Sequence, residues 1–129
     1  MTGPRRQGPT VSREEVQRWA VAAADAADDK NGQDTIILDV GAVLALTDFF
    51  VITSASNTRL VRTIADEVDK AVKAAGGPFA RVEGRDDASW VLMDFGDVIV
   101  HVFLEDTRGF YDLERLWRDV PRVERPALA

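Results

Sequence analysis

The sequence predicts a mixed α/β domain of the α+β kind, with a mixed five-stranded sheet flanked by helices. Three observations carry that expectation. An apolar stripe at helical spacing runs through Val61, Ile64, Ala65, Val68, Val72 and Ala75. The β-branched, apolar runs Thr35 to Val40, Phe49 to Thr53 and Val98 to Leu104 have the length of strands. Helical and strand segments alternate as α, β, β, α, β, β, β, α, an order that packs as helices on a mixed sheet.

Taken in order, residues 1–11, with Gly3, Pro4, Arg5, Arg6, Gly8 and Pro9, lack apolar periodicity and are expected to form a flexible N-terminal tail. Ser12 and Glu15 form a capping box. Val16, Trp19, Ala20, Ala23 and Ala27 then follow at helical spacing, to an end near Asn31-Gly32. Two buried strands come next, Thr35 to Val40 and Phe49 to Thr53. Asn57 can cap the second helix, which Gly76-Gly77-Pro78 stops. Phe79 to Glu83 is a short strand candidate. Trp90 to Phe95 and Val98 to Leu104 are separated only by Gly96 and Asp97, a hairpin signal. The second of these runs is apolar on both faces except at His101 and is expected at the centre of the sheet. Asp112 is expected to cap a last short helix on which Leu113, Leu116 and Trp117 share a face with Phe110. The domain thus spans residues 12–120, with 121–129 as a C-terminal tail.

A chain of 129 residues, 46% apolar and 29% charged, fits one domain with a real core. It has no run of about 18 uncharged apolar residues and no apolar leader, so a cytoplasmic location and no membrane contact are expected. With no cysteine and one histidine, disulfides and the usual zinc sites are excluded, leaving carboxylates as the only metal ligands. The net charge of -6 repels phosphate backbones, so little direct nucleic-acid contact is expected and a basic protein suits the surface better. Acidity that serves solubility alone is the competing account.

A catalytic reading starts from His101, the one side chain whose ordinary pKa suits a general base near neutrality. Its place inside an apolar strand, between Val100 and Val102, points to a structural histidine instead. Neither Ser54 nor Ser56 sits in a G-x-S-x-G elbow. Asp94-Phe95-Gly96 matches a kinase triplet by chance, because no glycine-rich phosphate loop or catalytic segment accompanies it. The strand leading to Ser54-Ala55-Ser56 and a helix resembles the opening of metal-dependent nucleotidyltransferases, which is the alternative, enzymatic reading. That chemistry needs a Gly-Ser pair and an acidic dyad on the next strand. Here Ala55 replaces the glycine, and Asp66 and Asp69 fall on the helix. A dense set of large side chains remains, Trp90, Met93, Phe95, Phe110, Tyr111, Leu116 and Trp117, which fills the core or anchors a partner. Strand alternation separates Trp90, Leu92 and Asp94 from Val91, Met93 and Phe95, so the two aromatics belong to different layers.

The segments T-D-F-F-V-I (Thr47 to Ile52), Val82-Glu83-Gly84, W-V-L-M-D (Trp90 to Asp94), G-D-V-I-V-H-V-F (Gly96 to Phe103) and F-Y-D-L-E-R-L-W (Phe110 to Trp117) together resemble the signature blocks of the ribosomal silencing factor S, or Iojap-like, family. The resemblance runs over roughly residues 12 to 120, in order. It implies a nucleotidyltransferase-like scaffold without the active site, no cofactor, and a non-enzymatic docking protein. The implied partner is the large ribosomal subunit, bound through ribosomal protein L fourteen, where the docked protein blocks the small subunit and represses translation under nutrient limitation. It places the binding surface at Trp90, Phe95 and Tyr111, with Glu83, Asp94 and Glu114 as acidic partners for basic side chains. It also implies that the free protein can form a homodimer. The chain departs from the family's usual Ser-Gly at Ser54-Ala55 and from its Arg-His at Arg59-Leu60.

Overall fold

The computed structural model describes residues 11–125, so residues 1–10 of the expected 1–11 tail and the last four residues lie outside it, while Val11 packs against the core. Helix α1 spans Arg13–Asp29, and Ser12 Oγ accepts the Glu15 N–H at 3.1 Å as its cap. Its inner face is made of Val16, Trp19 and four buried alanines, Ala20, Ala23, Ala24 and Ala27, small enough to let the helix lie close on its neighbours. Helix α2 spans Thr58–Ala74, with Asn57 Oδ1 accepting the Leu60 N–H at 2.8 Å. It buries Val61, Ile64, Ala65, Val68 and Val72, the stripe expected from the sequence.

Five strands form one mixed sheet: β1 (Gln33–Asp39), β2 (Phe49–Ala55), β3 (Arg81–Glu83), β4 (Trp90–Asp94) and β5 (Val98–Leu104). Their spatial order is β1-β2-β5-β4-β3, so β5 is central as its apolar run predicts. The β2–β5 pair is parallel and the other three are antiparallel. Helix α2 lies in the connection between the parallel strands, as such a crossover requires.

The segment after β5 departs from expectation. A helix that the sequence pattern did not predict, α3 (Glu105–Tyr111), leaves β5 directly, with Glu105 and Asp106 in its first turn where the helix dipole favours acids. A single turn, α4 (Leu113–Leu116), follows. Asp112 is not its side-chain cap: the residue closes α3 in the left-handed conformation, φ 49°, and makes no capping bond to α4. Nor do Leu116 and Phe110 share the inner face with Leu113 and Trp117. They are 75% and 82% exposed, whereas Leu113 and Trp117 pack on the sheet.

Residues 121–125 are also more than a tail. The Pro121 carbonyl accepts the Asp39 N–H at 2.8 Å, the Val123 N–H donates to the Ile37 carbonyl at 2.9 Å, and Arg122 bridges to Leu38. Arg125 then pairs with Asp25 at 2.6 Å and Asp28 at 2.7 Å on α1. The outer edge of β1 is thereby covered, which removes an exposed strand edge.

Candidate docking surface

The sheet has a closed face and a partly open one. Beneath α1 and α2 lie Val91, Met93 and Phe95, together with Phe49, Val51, Val98, Val100 and Val102. The opposite face carries Trp90, Leu92 and Asp94 of β4, and register extends it across the sheet. Glu83 pairs with Leu92, Leu92 with His101, and His101 with Ile52, while Trp90 pairs with Phe103. Leu113, Trp117 and Val120 cover this face above Leu38, Val40, Phe50 and Ile52. Toward β4 the cover thins, leaving Trp90, Leu92, Asp94 and Ile99 half-buried and Tyr111 49% exposed.

Aromatic rings run through this layer from its covered side to its open side. Trp117 meets Phe50 edge-on at 5.3 Å, and Phe50 meets His101 edge-on at 5.0 Å. Trp90 then lies 4.8 Å from Phe103 on one side and 4.8 Å from Tyr111 on the other. Phe110 stands edge-on to Tyr111 at 5.0 Å and projects outward. Rings held this way present a large amphipathic surface with little rotamer freedom left to lose on binding. Gly84, at φ +84°, lets the chain after β3 pass close by, because a Cβ there would collide with the Trp90 carbonyl.

His101 lies within this layer, 5% exposed, and its Nδ1 accepts the Trp90 Nε1–H at 3.2 Å. Burial pushes its pKa from the ordinary 6.5 down to about 4, so the ring is neutral near pH 7. An imidazole tied up by an indole and aromatic neighbours fits the structural role expected of it better than that of a general base.

The structure brings together only some of the residues implied as a binding surface. Trp90 and Tyr111 are in ring contact, tilted at 48°, and Glu83 and Asp94 lie on the same face as Trp90. Phe95 does not join them. It is 3% exposed in the core under the helices, because strand alternation turns it away from Trp90. Glu114 is not directed at a partner either, since its Oε2 accepts from Arg108 Nε at 2.9 Å.

Arg108 is the residue that the sequence reading missed. The side chain, 9% exposed, donates to the carbonyls of Gln33 at 3.0 Å and Asp34 at 2.7 Å, to Ser54 Oγ at 3.0 Å and to Glu114. It fastens α3, and hence Tyr111, to the ends of β1 and β2. One arginine in a seven-residue acidic segment gives no sequence signal of such a role. The bonds also occupy Ser54, whose hydroxyl donates to the Gln33 carbonyl at 3.3 Å, so it is not held as a nucleophile. Of the acids on α2, Asp66 pairs with Arg85 at 2.8 Å and Asp69 with Lys73 at 3.1 Å. Among the described residues no helix is long and apolar enough to cross a membrane.

Residues 13–129 match the family model described as "Ribosomal silencing factor during starvation". The chain belongs to that family. It is 40% identical over 114 residues to the "Ribosomal silencing factor RsfS" of Halalkalibacterium halodurans, covering 88% of this chain and 95% of that protein. A crystal structure of a protein from Chromobacterium violaceum superposes with a TM-score of 0.76 at 33% identity, over 88% of this chain and 92% of that one. A longer mouse relative, "Mitochondrial assembly of ribosomal large subunit protein 1", is 33% identical over 91 residues, covering 68% of this chain and 40% of the mouse protein. The five-stranded mixed sheet with its helices is thus the fold of a ribosomal silencing factor. Of the two departures in this chain, Ala55 is fully buried at the end of β2 and Leu60 packs against the helix-side core, so neither lies on the aromatic face.

Proposed function

We propose that this chain is a non-enzymatic cytoplasmic repressor of translation. It binds the large ribosomal subunit through ribosomal protein L fourteen and, by standing on the intersubunit side, blocks association with the small subunit under nutrient limitation. The observation that carries this reading is the open part of the sheet face, where the Trp90 and Tyr111 rings meet at a tilt on the face that also carries Glu83 and Asp94. Rigid aromatics rimmed by acids suit a basic protein surface: the rings supply the anchor, and the carboxylates steer and orient the encounter. The family's name and the mouse relative's name both point to the ribosome, the latter to its large subunit. The same apolar face can pair two copies when no ribosome is present, giving a homodimer that competes with docking.

Sedimentation with purified large subunits tests the proposal. The protein is expected to co-migrate without added nucleotide or metal, and light scattering should show slowed joining of small subunits. Failure to co-migrate, or co-migration only with nucleotide and magnesium, would overturn it and favour the nucleotidyl-transfer alternative.

A further inference from the structure

We propose that His101 is the positioning residue of the docking face, its Nδ1 lone pair holding the indole of Trp90 in the orientation in which it anchors the partner. The inference rests on the docking reading above and goes beyond it, because His101 itself lies beneath the surface.

The centre of a buried strand is a costly place for an imidazole, where valine or isoleucine would pack without any polar atom to satisfy. His101 nevertheless sits between Val100 and Val102 on β5, in register with Leu92 and Ile52. Its surroundings fix the ring on several sides. Phe50 meets it edge-on at 5.0 Å, Phe103 lies nearly parallel at 6.1 Å, and Trp90 is tilted across it at 6.0 Å. The hydrogen bond of the imidazole runs outward to Trp90, from Nε1 to Nδ1 at 3.2 Å, while Nε2 is buried with no hydrogen-bond partner among the described residues.

An indole has a single donor, and a partly exposed indole would ordinarily give it to water. Here the donor turns inward, so the ring is fastened by a directional bond in addition to its contacts with Phe103 and Tyr111. The bond requires Nδ1 to carry no proton. Burial keeps the ring neutral well below pH 7, so one nitrogen is free to accept, and the bond from Trp90 selects the tautomer that carries its proton on Nε2. An aliphatic side chain at the same position would fill the space yet leave the indole N–H with no acceptor beneath it. Freeing one large side chain at an interface weakens binding by about three- to tenfold.

The test pairs His101→Leu, which removes the acceptor, with His101→Asn, whose Oδ1 can take the place of Nδ1. Two readouts are used: hydrogen exchange of the Trp90 indole N–H by NMR, assigned with Trp90→Phe, and the dissociation rate from immobilised large subunits. Should His101→Leu fail to fold, exchange in the wild type and in His101→Asn still decides. We expect a protected indole N–H in wild type and in His101→Asn, fast exchange in His101→Leu, and release from the subunit about three- to tenfold faster for His101→Leu alone. In a Trp90→Phe background, which lacks the donor, His101→Leu should change the release rate no further. An unprotected N–H in the wild type, or an equal effect of His101→Leu with and without the indole donor, would overturn the proposal. If Trp90→Ala binds like wild type, the docking reading fails instead, and the exchange result separates the two outcomes.

Discussion

The two faces of the sheet are built on the same strands and filled by different chemistry. Under α1 and α2 the layer is mostly aliphatic, with Val91, Val98, Val100 and Val102 fully buried against alanines and valines of the helices and the rings of Trp19, Phe49 and Phe95 set among them. On the other side it is aromatic and partly polar, with Phe50, Trp90, His101 and Phe103 under a thinner cover of Leu113, Trp117 and Val120. The contrast shows how one small domain separates folding from recognition. Aliphatic side chains gain by being sealed from water everywhere, whereas a binding face needs large rings held rigid while still partly exposed.

Removing a ring from the closed layer should have the largest effect. Phe49 is fully buried there, and Phe49→Ala should lower unfolding free energy by about 3–5 kcal/mol, read from urea denaturation. Large-subunit binding should fall only in step with the unfolded fraction. A variant that kept its stability but lost binding would place recognition on the wrong face.

The next effect is the pH dependence of the open layer. His101 takes up a proton near pH 6.5 in the unfolded chain and only at about pH 4 when folded. Between those values the unfolded state binds more protons, so the contribution of the neutral buried ring is complete above pH 6.5. It is lost as pH falls toward 4, by about 3 kcal/mol in all. Urea titrations of wild type and His101→Asn at pH values of about 7 and about 4.5 isolate this group from the carboxylates. The stability lost on acidification should be larger for wild type, and equal losses would mean that His101 is not buried as described.

Trp90→Ala should separate the two faces in the other direction. Loss of a central anchor raises Kd by over roughly tenfold, about 2 kcal/mol or more, while the half-buried position should make the stability loss smaller than that of Phe49→Ala. Parallel binding and unfolding measurements decide. A stability loss as large as at Phe49 would make the ring part of the core.

How legible each face was follows from the same contrast. The closed face could be read in large part because periodicity is its signal: the α2 stripe and the β5 run follow from spacing, and alternation puts Trp90 and Phe95 in different layers, although Phe95, which the family resemblance places on the binding surface, is the one that points inward. The open face is assembled from the segment after β5, where spacing says little. Helix α3 has Thr107 and Gly109 among its seven residues and no continuous apolar stripe, so only its leading acids hinted at a helix. Arg108 reaches β1 and β2 across more than fifty residues of sequence, a tertiary bond that no local pattern announces. Glu114 had the charge expected of a partner contact and is instead committed to that arginine. The pairing of residues 121–125 with β1 has no local signal for the same reason, because a short stretch with one proline and two arginines resembles a tail until the Pro121 carbonyl and the Val123 N–H meet a strand edge.

The smallest expected effect concerns charge, and it distinguishes two carboxylates that look alike in sequence. Glu83 is exposed on β3, on the open face, whereas Glu114 holds the buried Arg108. Reversing Glu83 with Glu83→Lys should leave stability within about 0.5 kcal/mol, as surface changes usually do. It should slow association with immobilised large subunits by a few-fold at low salt, because steering by complementary charge acts on the association rate and is screened as salt rises. Glu114→Lys should behave differently, placing a second cation against the buried Arg108 and costing up to about 3 kcal/mol of stability through the broken, partly buried pair. An RNA-binding face would invert the first result, since an added lysine brings one more phosphate contact and speeds attachment. Faster association of Glu83→Lys at low salt, with stability unchanged, would therefore replace a basic protein with nucleic acid as what this face meets.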